Sequence, residues 1–215
     1  MARGSIVNQK NRISKIIEIL KDEYPESKCS LNYENPFQLL VATILSAQCT
    51  DERVNKVTKR LFSKFKDVRA FNKLTSKEIG KEIFSTGFYN NKAKSIKGMS
   101  AMLINRFNGE IPSNIDNLVK LPGVGRKTAN VVLGNYFNIP GLVVDTHVTR
   151  ISNLLKFTTS RNAVIIERKL NKIINKNDWI VFTHLIIDHG REVCIANRPQ
   201  CNKCVVYRYC PSSIA

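Results

Sequence analysis

The apolar positions of the chain recur with the period of an α-helix along almost its whole length. Neighbouring apolar residues stand three, four or seven positions apart, which is the stripe of an amphipathic helix. Three such stripes are Ile13, Ile16, Ile17, Leu20 and Tyr24; Val54, Val57, Leu61, Phe62 and Phe65; and Ala93, Ile96, Leu103 and Phe107. No segment alternates convincingly with the period of a β-strand. The pattern predicts an all-α fold with short connections.

Capping residues indicate where several of these helices begin. Asn35 and Pro36 form a good N-cap and first-turn pair, and the segment after them, FQLLVATILSAQ, is apolar on most sides, as expected for a central buried helix. Thr75 and Glu78 have the spacing of a capping box. Other expected boundaries are a start at Thr50 or Asp51, an end at Asn108-Gly109, and starts near Arg126, Asp145, Asn162 and Asp178.

The segment FNIPGLVVD, residues 137–145, interrupts the helical pattern at Pro140 and Gly141. Proline and glycine are the strongest local breakers of a helix. This segment is therefore the best candidate for a crossing between two helical lobes.

The chain carries a strong positive charge. Its 215 residues contain 34 Lys and Arg against 17 Asp and Glu, a formal net charge of +17. Such an excess favours a polyanionic partner, and nucleic acid is the first candidate. A lysine-rich solvated surface with no such partner is the alternative that charge alone leaves open.

No apolar run has the length needed to span a bilayer, and the N-terminal MARGSIVNQKNR lacks the apolar core of a secretory signal. We therefore expect the protein to stay in a reducing cytosol. In that compartment a cluster of cysteines indicates metal binding before it indicates disulfides.

The stretch LPGVGRKTANVV, residues 121–132, has two glycines immediately before a helical run. Gly123 and Gly125 can adopt positive φ and leave backbone N–H groups uncovered, and a helix N-terminus adds positive potential. The pattern of helix, L-P-G-V-G and helix is that of the helix-hairpin-helix motif, and a duplex phosphate is a suitable occupant.

Lys127 follows this turn in the first turn of the next helix. The helix macrodipole disfavours a cation there and so favours the neutral amine, which is a nucleophile able to form a Schiff base with a sugar carbon. A simple phosphate contact beside Arg126 is the alternative, and this segment alone does not decide between them.

Asp145, in VVDTHVTRI, stands at a predicted helix N-cap. Its position favours ordinary capping. A carboxylate there could also stabilise an oxocarbenium-like sugar or accept a proton from the attacking group. We expect His147, in the same turn, to pack or to face DNA rather than to act as a base.

The last four cysteines follow the spacing C-x6-C-x2-C-x5-C. They are Cys194, Cys201, Cys204 and Cys210. Four thiolates with this spacing can hold tetrahedral zinc or an iron–sulfur cluster, and the spacing does not choose between them. The basic residues Arg198, Lys203 and Arg208 would give the segment positive charge.

L-P-G-V-G-R-K-T-A, V-D-T-H-V-x-R and the cysteine spacing together resemble the endonuclease III branch of the helix-hairpin-helix DNA glycosylases. The likeness extends to ENPFQLLVATILSAQCTD and STGFYNNKAKSI, and so over nearly the whole chain. It implies a six-helix domain at residues 29–139, with the helix-hairpin-helix at about 114–137. It also implies a discontinuous iron–sulfur domain at residues 1–28 and 140–215, with a cluster loop at 194–210 and a DNA-binding cleft between the two lobes.

The resemblance further implies a bifunctional base-excision repair enzyme that acts on damaged double-stranded DNA. Lys127 would displace an oxidised pyrimidine through a Schiff base, Asp145 would be the catalytic carboxylate, and β-elimination would cut the strand 3′ to the abasic site. The four cysteines would hold a structural [4Fe–4S] cluster. We expect a monomer associated with the nucleoid in a bacterial-type cytoplasm.

An extruded base leaves a gap in the duplex that the enzyme must fill. Gln48 matches the family residue that plugs this gap. Phe88 stands where the family typically has a leucine wedge; a phenylalanine can still intercalate, and a core aromatic is its alternative role. The residues expected to contact DNA are Gln48, Phe88, Leu121, Gly123, Val124, Gly125, Arg126 and Arg198.

Two other functions fit parts of the pattern. An adenine mismatch glycosylase of the same superfamily shares the cysteines and the aspartate, but it lacks the lysine at position 127 and has a glutamate where this chain has Ala42. It also continues into a further C-terminal domain, whereas this chain stops five residues after Cys210. A non-catalytic helix-hairpin-helix protein with a zinc tail would not need Lys127 and Asp145 together.

Overall fold

The computed structural model describes residues 6–215, and this part of the chain is helical without β-strands. The prediction of an all-α fold is confirmed. The α-helices are α1 (Ile6–Glu23), α2 (Pro36–Leu45), α3 (Asp51–Lys64), α4 (Val68–Lys73), α5 (Ser76–Ile83), α6 (Tyr89–Phe107), α7 (Ile115–Leu118), α8 (Arg126–Asn135), α9 (Thr146–Leu154), α10 (Ala163–Ile173) and α11 (Trp179–Glu192). Short 3₁₀ helices span Phe84–Thr86, Lys176–Asp178, Cys201–Lys203 and Tyr207–Tyr209.

The chain divides into two compact units. The central unit is Ser30–Ile139 and holds α2 to α8. The terminal unit combines the described residues up to Cys29 with Pro140–Ala215 and holds α1 and α9 to α11. The predicted crossing at residues 137–145 contains the boundary between Ile139 and Pro140. Residues 1–5 of the predicted discontinuous domain lie outside the described residues.

The predicted helix starts are confirmed where a side chain caps the first turn. The Asn35 side chain accepts a hydrogen bond from the Gln38 N–H, with Pro36 at the first helical position. Thr50, rather than Asp51, caps α3. Thr75 and Glu78 form both hydrogen bonds of a capping box at α5. These bonds join residues only three positions apart, so the local sequence is enough to specify them.

Other boundaries differ from the predictions. Helix α4 was not predicted, because six residues are too few to show a helical period. Helix α7, the first helix of the predicted helix-hairpin-helix, is only four residues long. Tyr24 lies just beyond the end of α1, although its N–H still donates to the Leu20 carbonyl. Asp178 makes no side-chain cap at α11, because a 3₁₀ turn over Lys176–Asp178 precedes that helix.

Helix α2 is the buried helix of the central unit, as predicted. Every residue from Phe37 to Leu45 is buried, and α2 contacts α3, α6 and α8. A helix that is apolar on all sides gains free energy only when neighbours cover all of it.

The core of the terminal unit is formed by α1, α9, α10 and α11. The stripe predicted on α1 is buried here, and it packs beside apolar residues of the other three helices. Arg12 of α1 donates to the carbonyls of Leu155 (2.8 Å) and Tyr209 (2.9 Å), with its guanidinium 4.1 Å from the centre of the Phe157 ring. Arg12 thereby attaches the cysteine-containing segment to the helical core.

None of the helices in residues 6–215 is both long enough and apolar enough to cross a membrane.

Candidate active site and cysteine-lined cavity

The glycine turn between α7 and α8 uses its two glycines differently. Gly123 has φ +79°, and a Cβ there would lie 2.6 Å from the Cβ of Ser95 on α6. Gly125 has φ −90° and is the N-cap of α8, so the expectation that it adopts positive φ is wrong. A Cβ at Gly125 would have no neighbour within 4 Å. Gly123 is thus required by the fold, whereas Gly125 leaves an exposed stretch of backbone open to an outside group.

The turn offers backbone donors at its surface. In the described part of the chain, the N–H groups of Gly123 and Gly125 have no protein acceptor. Leu121 and Val124 differ, because their side chains are buried and their N–H groups donate to Leu118 and Leu121. If these two residues contact DNA, their side chains cannot provide the contact. Their main role in the structure is to anchor the turn.

Lys127 is exposed in the first turn of α8, next to exposed Arg126. The first turn of α8 contains no acidic residue, and Lys127 forms no ion pair or hydrogen bond with any described residue. Its amine is therefore available to an outside group. The combination of two uncovered N–H groups, a helix N-terminus and two basic side chains favours an anion at this surface.

Asp145 lies in the terminal unit, directly before α9. Its Oδ1 accepts a hydrogen bond from the Val148 N–H at 2.8 Å, so the predicted capping role is confirmed. Its Oδ2 has no hydrogen-bond partner among residues 6–215. The side chain is partly exposed. One carboxylate oxygen orients the group while the other can interact with a ligand.

His147 packs against α11, as expected for a packing residue. A Cβ at Gly190 would lie 2.6 Å from His147 Nδ1, so glycine is needed for α9 and α11 to approach this closely. His147 Nδ1 also lies 3.5 Å from Nη2 of Arg150.

Arg150 connects α9 to Cys194, the first of the four clustered cysteines. This role of Arg150 was not predicted from the sequence. Its Nη1 donates to the carbonyl of Cys194 at 2.5 Å and lies 3.5 Å from the Cys194 Sγ. The arginine is visible in the V-D-T-H-V-x-R motif, but its partner is 44 residues away. Nothing local in the sequence indicates that pairing.

The four predicted ligand cysteines line one cavity of about 70 Å³ in the terminal unit. They are free thiols, partly exposed, on a segment built from two 3₁₀ turns. The rest of the wall is mostly apolar, with Ile16 and Leu20 of α1, Ile186 of α11, and Val206 among its residues. The fold thus brings together four cysteines that are spread over 17 positions of the sequence.

The surroundings of the thiols favour their protonated form in the absence of a bound metal. Burial raises the pKa of the Cys204 thiol to about 11, and it raises the pKa of Cys194 against the opposing effect of Arg150. His189 Nε2 lies 3.5 Å from the Cys204 Sγ, and burial lowers the pKa of this histidine to about 4. A bound metal would supply the positive charge that stabilises the thiolates.

Across residues 6–215, no three Cys, His, Asp or Glu side chains are grouped to hold one metal ion. A single zinc ion requires all its sulfur ligands at about 2.3 Å from one point. In a four-iron cluster each thiolate binds a different iron, so the sulfurs surround a larger group. The four cysteines line one cavity, and the group that they hold stays a prediction.

Gln48 and Phe88 are exposed residues in left-handed backbone conformation. Gln48 has φ 54° in the turn after α2, and Phe88 has φ 49° immediately before α6. Phe88 is 63% exposed, so its alternative role as a core aromatic is wrong. A non-glycine residue at positive φ is uncommon and costs about 1 kcal/mol or more. Both side chains are presented to solvent, and their roles at the DNA gap stay predictions.

Arg198 is exposed in the loop between α11 and the 3₁₀ turn that begins at Cys201. Its N–H donates to the Ile195 carbonyl at 3.3 Å. The loop thus presents a positive charge beside the cysteine segment, as predicted. The contact of Arg198 with DNA stays a prediction.

Comparison with known proteins gives consistent matches. Residues 41–176 match a family model described as HhH-GPD superfamily base excision DNA repair protein. Endonuclease III of Synechocystis sp. is 49% identical over 211 residues, which cover 98% of this chain and 96% of that protein. Endonuclease III of Bacillus subtilis is 44% identical over 195 residues, covering 90% of this chain and 89% of that protein.

Among solved structures, a trapped covalent intermediate of an endonuclease III with DNA superimposes with a TM-score of 0.90. That protein is 44% identical to this chain, and the match covers 95% of this chain and 96% of that one.

Proposed function

The chain belongs to the endonuclease III family of the HhH-GPD superfamily, and on this premise we propose which of its residues perform the family's reaction. The protein is a DNA glycosylase and abasic-site lyase of base excision repair. Lys127 and Asp145 remove the oxidised pyrimidine. The glycine turn binds the DNA backbone, and Gln48 and Phe88 fill the position that the extruded base leaves.

The observation that carries the proposal is the position of Lys127. Its exposed amine has no partner among residues 6–215, and Lys127 follows the two glycines with uncovered N–H groups by four and two positions. Phosphates held at those N–H groups fix the register of the duplex without base-specific contacts. The amine is then close to the sugar of a nucleotide near the held phosphate.

The reaction begins with the target base turned out of the helix, since C1′ is inaccessible inside the stack. The neutral amine of Lys127 attacks C1′, the glycosidic bond breaks, and the base leaves with the bonding electron pair and takes up a proton. The amine then loses one proton, and the C1′–O4′ bond breaks with its electron pair going to O4′, which takes up a proton. This gives an iminium ion between Lys127 and C1′. The charge of the iminium acidifies C2′.

Strand cleavage follows from that acidity. A proton leaves C2′, and the C3′–O bond breaks with the electron pair going to the phosphate, which cuts the strand on the 3′ side. Hydrolysis of the remaining imine releases Lys127. Water is the only co-reactant that these steps require.

Asp145 supplies negative charge during these steps. Its Oδ1 is held by the α9 cap, and its Oδ2 can face the positive charge that develops on the sugar or accept the proton that the amine loses. Lys127 belongs to the central unit and Asp145 to the terminal unit.

Cys194, Cys201, Cys204 and Cys210 are proposed to hold a [4Fe–4S] cluster. The cavity that all four of them line supports it. The cluster would crosslink the irregular segment and take no part in breaking the glycosidic bond. Arg198 would then present its charge to the DNA backbone from a loop that the cluster holds in place.

Residue 42 argues against an adenine mismatch glycosylase. Ala42 is fully buried in α2, where that enzyme has a glutamate, and Lys127 is present here. A protein that only binds DNA would have no use for an amine that forms a covalent adduct. We propose a monomer that acts on damaged double-stranded DNA of the nucleoid in a bacterial-type cytoplasm.

Borohydride trapping tests the assignment. Borohydride reduces an iminium to a stable amine, so wild-type protein incubated with duplex DNA containing thymine glycol should form a covalent adduct. Lys127→Ala should form none. The matched control is Lys120→Ala, an exposed lysine of the same hairpin that donates to Asn117 Oδ1 at 3.2 Å.

The control variant should trap as well as wild type. An undiminished adduct in Lys127→Ala would show that another amine is the nucleophile. The same assay with a panel of oxidised pyrimidines would establish lesion preference.

A further inference from the structure

The turns that carry Gln48 and Phe88 are joined by one buried lysine. Lys92, on the first turns of α6, is 5% exposed. Its Nζ donates to the carbonyl of Leu45 and to the carbonyl of Thr86, both at 2.8 Å. Leu45 is the last residue of α2, three positions before Gln48, and Thr86 stands two positions before Phe88.

Both carbonyls lie at the C-terminal ends of helices, where a carbonyl needs a hydrogen-bond donor from outside its own helix. The last four carbonyls of a helix have no partner within it, and a cation near a helix C-terminus is stabilised by the macrodipole. Lys92 supplies this donor to α2 and to the 3₁₀ helix Phe84–Thr86 at once. No acidic side chain in the described chain forms an ion pair with it, and burial lowers the pKa of its amine.

Burying the Lys92 amine carries a desolvation cost, which its two hydrogen bonds offset. An apolar side chain of similar length would avoid this cost but would leave both carbonyls without their donor. What the lysine adds is a fixed distance between the two carbonyls, because one nitrogen bonds to both. The Phe84 and Tyr89 rings, with centres 4.8 Å apart, further hold the second turn against α6.

We infer that Lys92 is a positioning residue for base extrusion: its amine holds the Gln48 turn and the Phe88 turn at the spacing with which both enter the duplex. This inference rests on the roles proposed above for Gln48 and Phe88. Lys92 itself touches neither DNA nor the reacting sugar in this assignment.

The inference separates two activities that a general loss of stability would lower together. Removing a base lesion requires the nucleotide to be extruded and its place to be filled. Cleaving the strand at a preformed abasic site needs no base to be extruded, so it depends less on the two turns. A displacement of about 1 Å in a positioning element costs about 100-fold in rate.

The test compares Lys92→Met with Lys97→Met. Lys97 is on the same helix and also donates to a backbone carbonyl, that of Asn72, at 2.5 Å, but this carbonyl belongs to α4 and not to either turn. Base removal from thymine glycol duplex should fall about 10- to 100-fold in Lys92→Met, while cleavage of a preformed abasic site changes less than about threefold. Lys97→Met should resemble wild type in both assays.

Fluorescence of 2-aminopurine opposite the lesion gives a readout independent of turnover. Wild-type protein should change this signal on binding, and Lys92→Met should reduce the change. In a Gln48→Ala/Phe88→Ala background, adding Lys92→Met should cause no further loss of base removal, because the residues act as one unit.

Equal losses of both activities in Lys92→Met, or a further loss in the double-variant background, would overturn the inference. If Lys92→Met does not fold, Lys92→Arg serves instead: it keeps the donors but changes their reach, and base removal should again fall more than abasic cleavage. If Gln48→Ala/Phe88→Ala removes the base as fast as wild type, the proposed function of those two residues fails. That result is obtained without any Lys92 variant, so it is distinguishable from a failure of the inference about Lys92.

Discussion

The two units hold their candidate functional groups in different ways. In the central unit, the groups lie on turns between well-packed helices, and the backbone of those turns is in the left-handed region at Gln48, Phe88 and Gly123. In the terminal unit, the cysteine segment has only single 3₁₀ turns, and its four thiols surround an apolar cavity. One unit positions donors through backbone conformation, and the other relies on side chains gathered around a proposed cluster.

This difference teaches how much each region depends on its neighbours. A turn between two packed helices is constrained from both ends, so it can maintain a strained conformation without a ligand. In a segment of short turns each backbone hydrogen bond closes only a single turn, so side-chain contacts or a metal are needed to hold the turns together. Substitutions in the two units should therefore fail for different reasons.

The largest expected effect distinguishes an aspartate that only caps from one that also reacts. Asp145 caps α9 in the terminal unit, and Asp67 caps α4 in the central unit by accepting from the Ala70 N–H at 2.8 Å. Asparagine caps a helix about as well as aspartate. Asp145→Asn should thus keep its stability within about 0.5 kcal/mol and lose about 10²- to 10⁴-fold in turnover.

Steady-state base removal and urea unfolding measure the two quantities. Asp67→Asn is the control and should change neither. Wild-type turnover in Asp145→Asn would leave that residue with its capping role alone.

The second prediction tests the dependence of the terminal unit on a cluster. Wild-type protein should bind iron and show the broad visible absorbance of the proposed cluster, and Cys204→Ala should lose both because one of the four ligands is missing. Structural metal sites contribute on the order of 10 kcal/mol to folding. Hydrogen exchange should therefore become fast over residues 194–210, while α2 in the central unit stays protected.

Cys29→Ala provides the comparison, since Cys29 is in the same unit but does not line the cavity. It should retain iron and protection. Full iron content in Cys204→Ala would contradict the assignment of that ligand.

The smallest expected effect concerns the two glycines of the hairpin. Gly123→Ala should destabilise the protein by about 1–3 kcal/mol, because a Cβ at positive φ is strained and would collide with Ser95. Gly125→Ala should cost only about 0.5 kcal/mol, since its φ suits any residue and nothing is near.

In affinity for DNA the order of the two variants should reverse, with the larger loss in Gly125→Ala. The new methyl group of Gly125→Ala would cover the exposed backbone and weaken affinity by about tenfold, the equivalent of one lost hydrogen bond to a phosphate. Urea unfolding and binding to abasic duplex measure both effects. Unchanged affinity in Gly125→Ala would remove the proposed phosphate contact from that position.

Much of the fold was predictable because the interactions that specify it are short in sequence. The caps at Asn35, Thr50 and Thr75 bond to residues three positions away, and the apolar stripe of α1 is readable at intervals of three and four. Helix α4 was missed because it is shorter than the window in which a period can be recognised, and α7 was indicated only as the first helix of the helix-hairpin-helix motif.

The sequence by itself determined the helical class, most helix starts, the glycine turn with Lys127 after it, and the set of cysteines. Only the tertiary structure decided that Phe88 is exposed, that Gly125 has negative φ, and that Lys92 bonds to Leu45, 47 residues earlier. Helix caps and apolar periodicity depend on residues only three or four positions apart, so the local sequence specifies them. The conformation of a turn and the partner of a buried amine depend on which distant helices pack beside them, and a single sequence does not contain that information in local form.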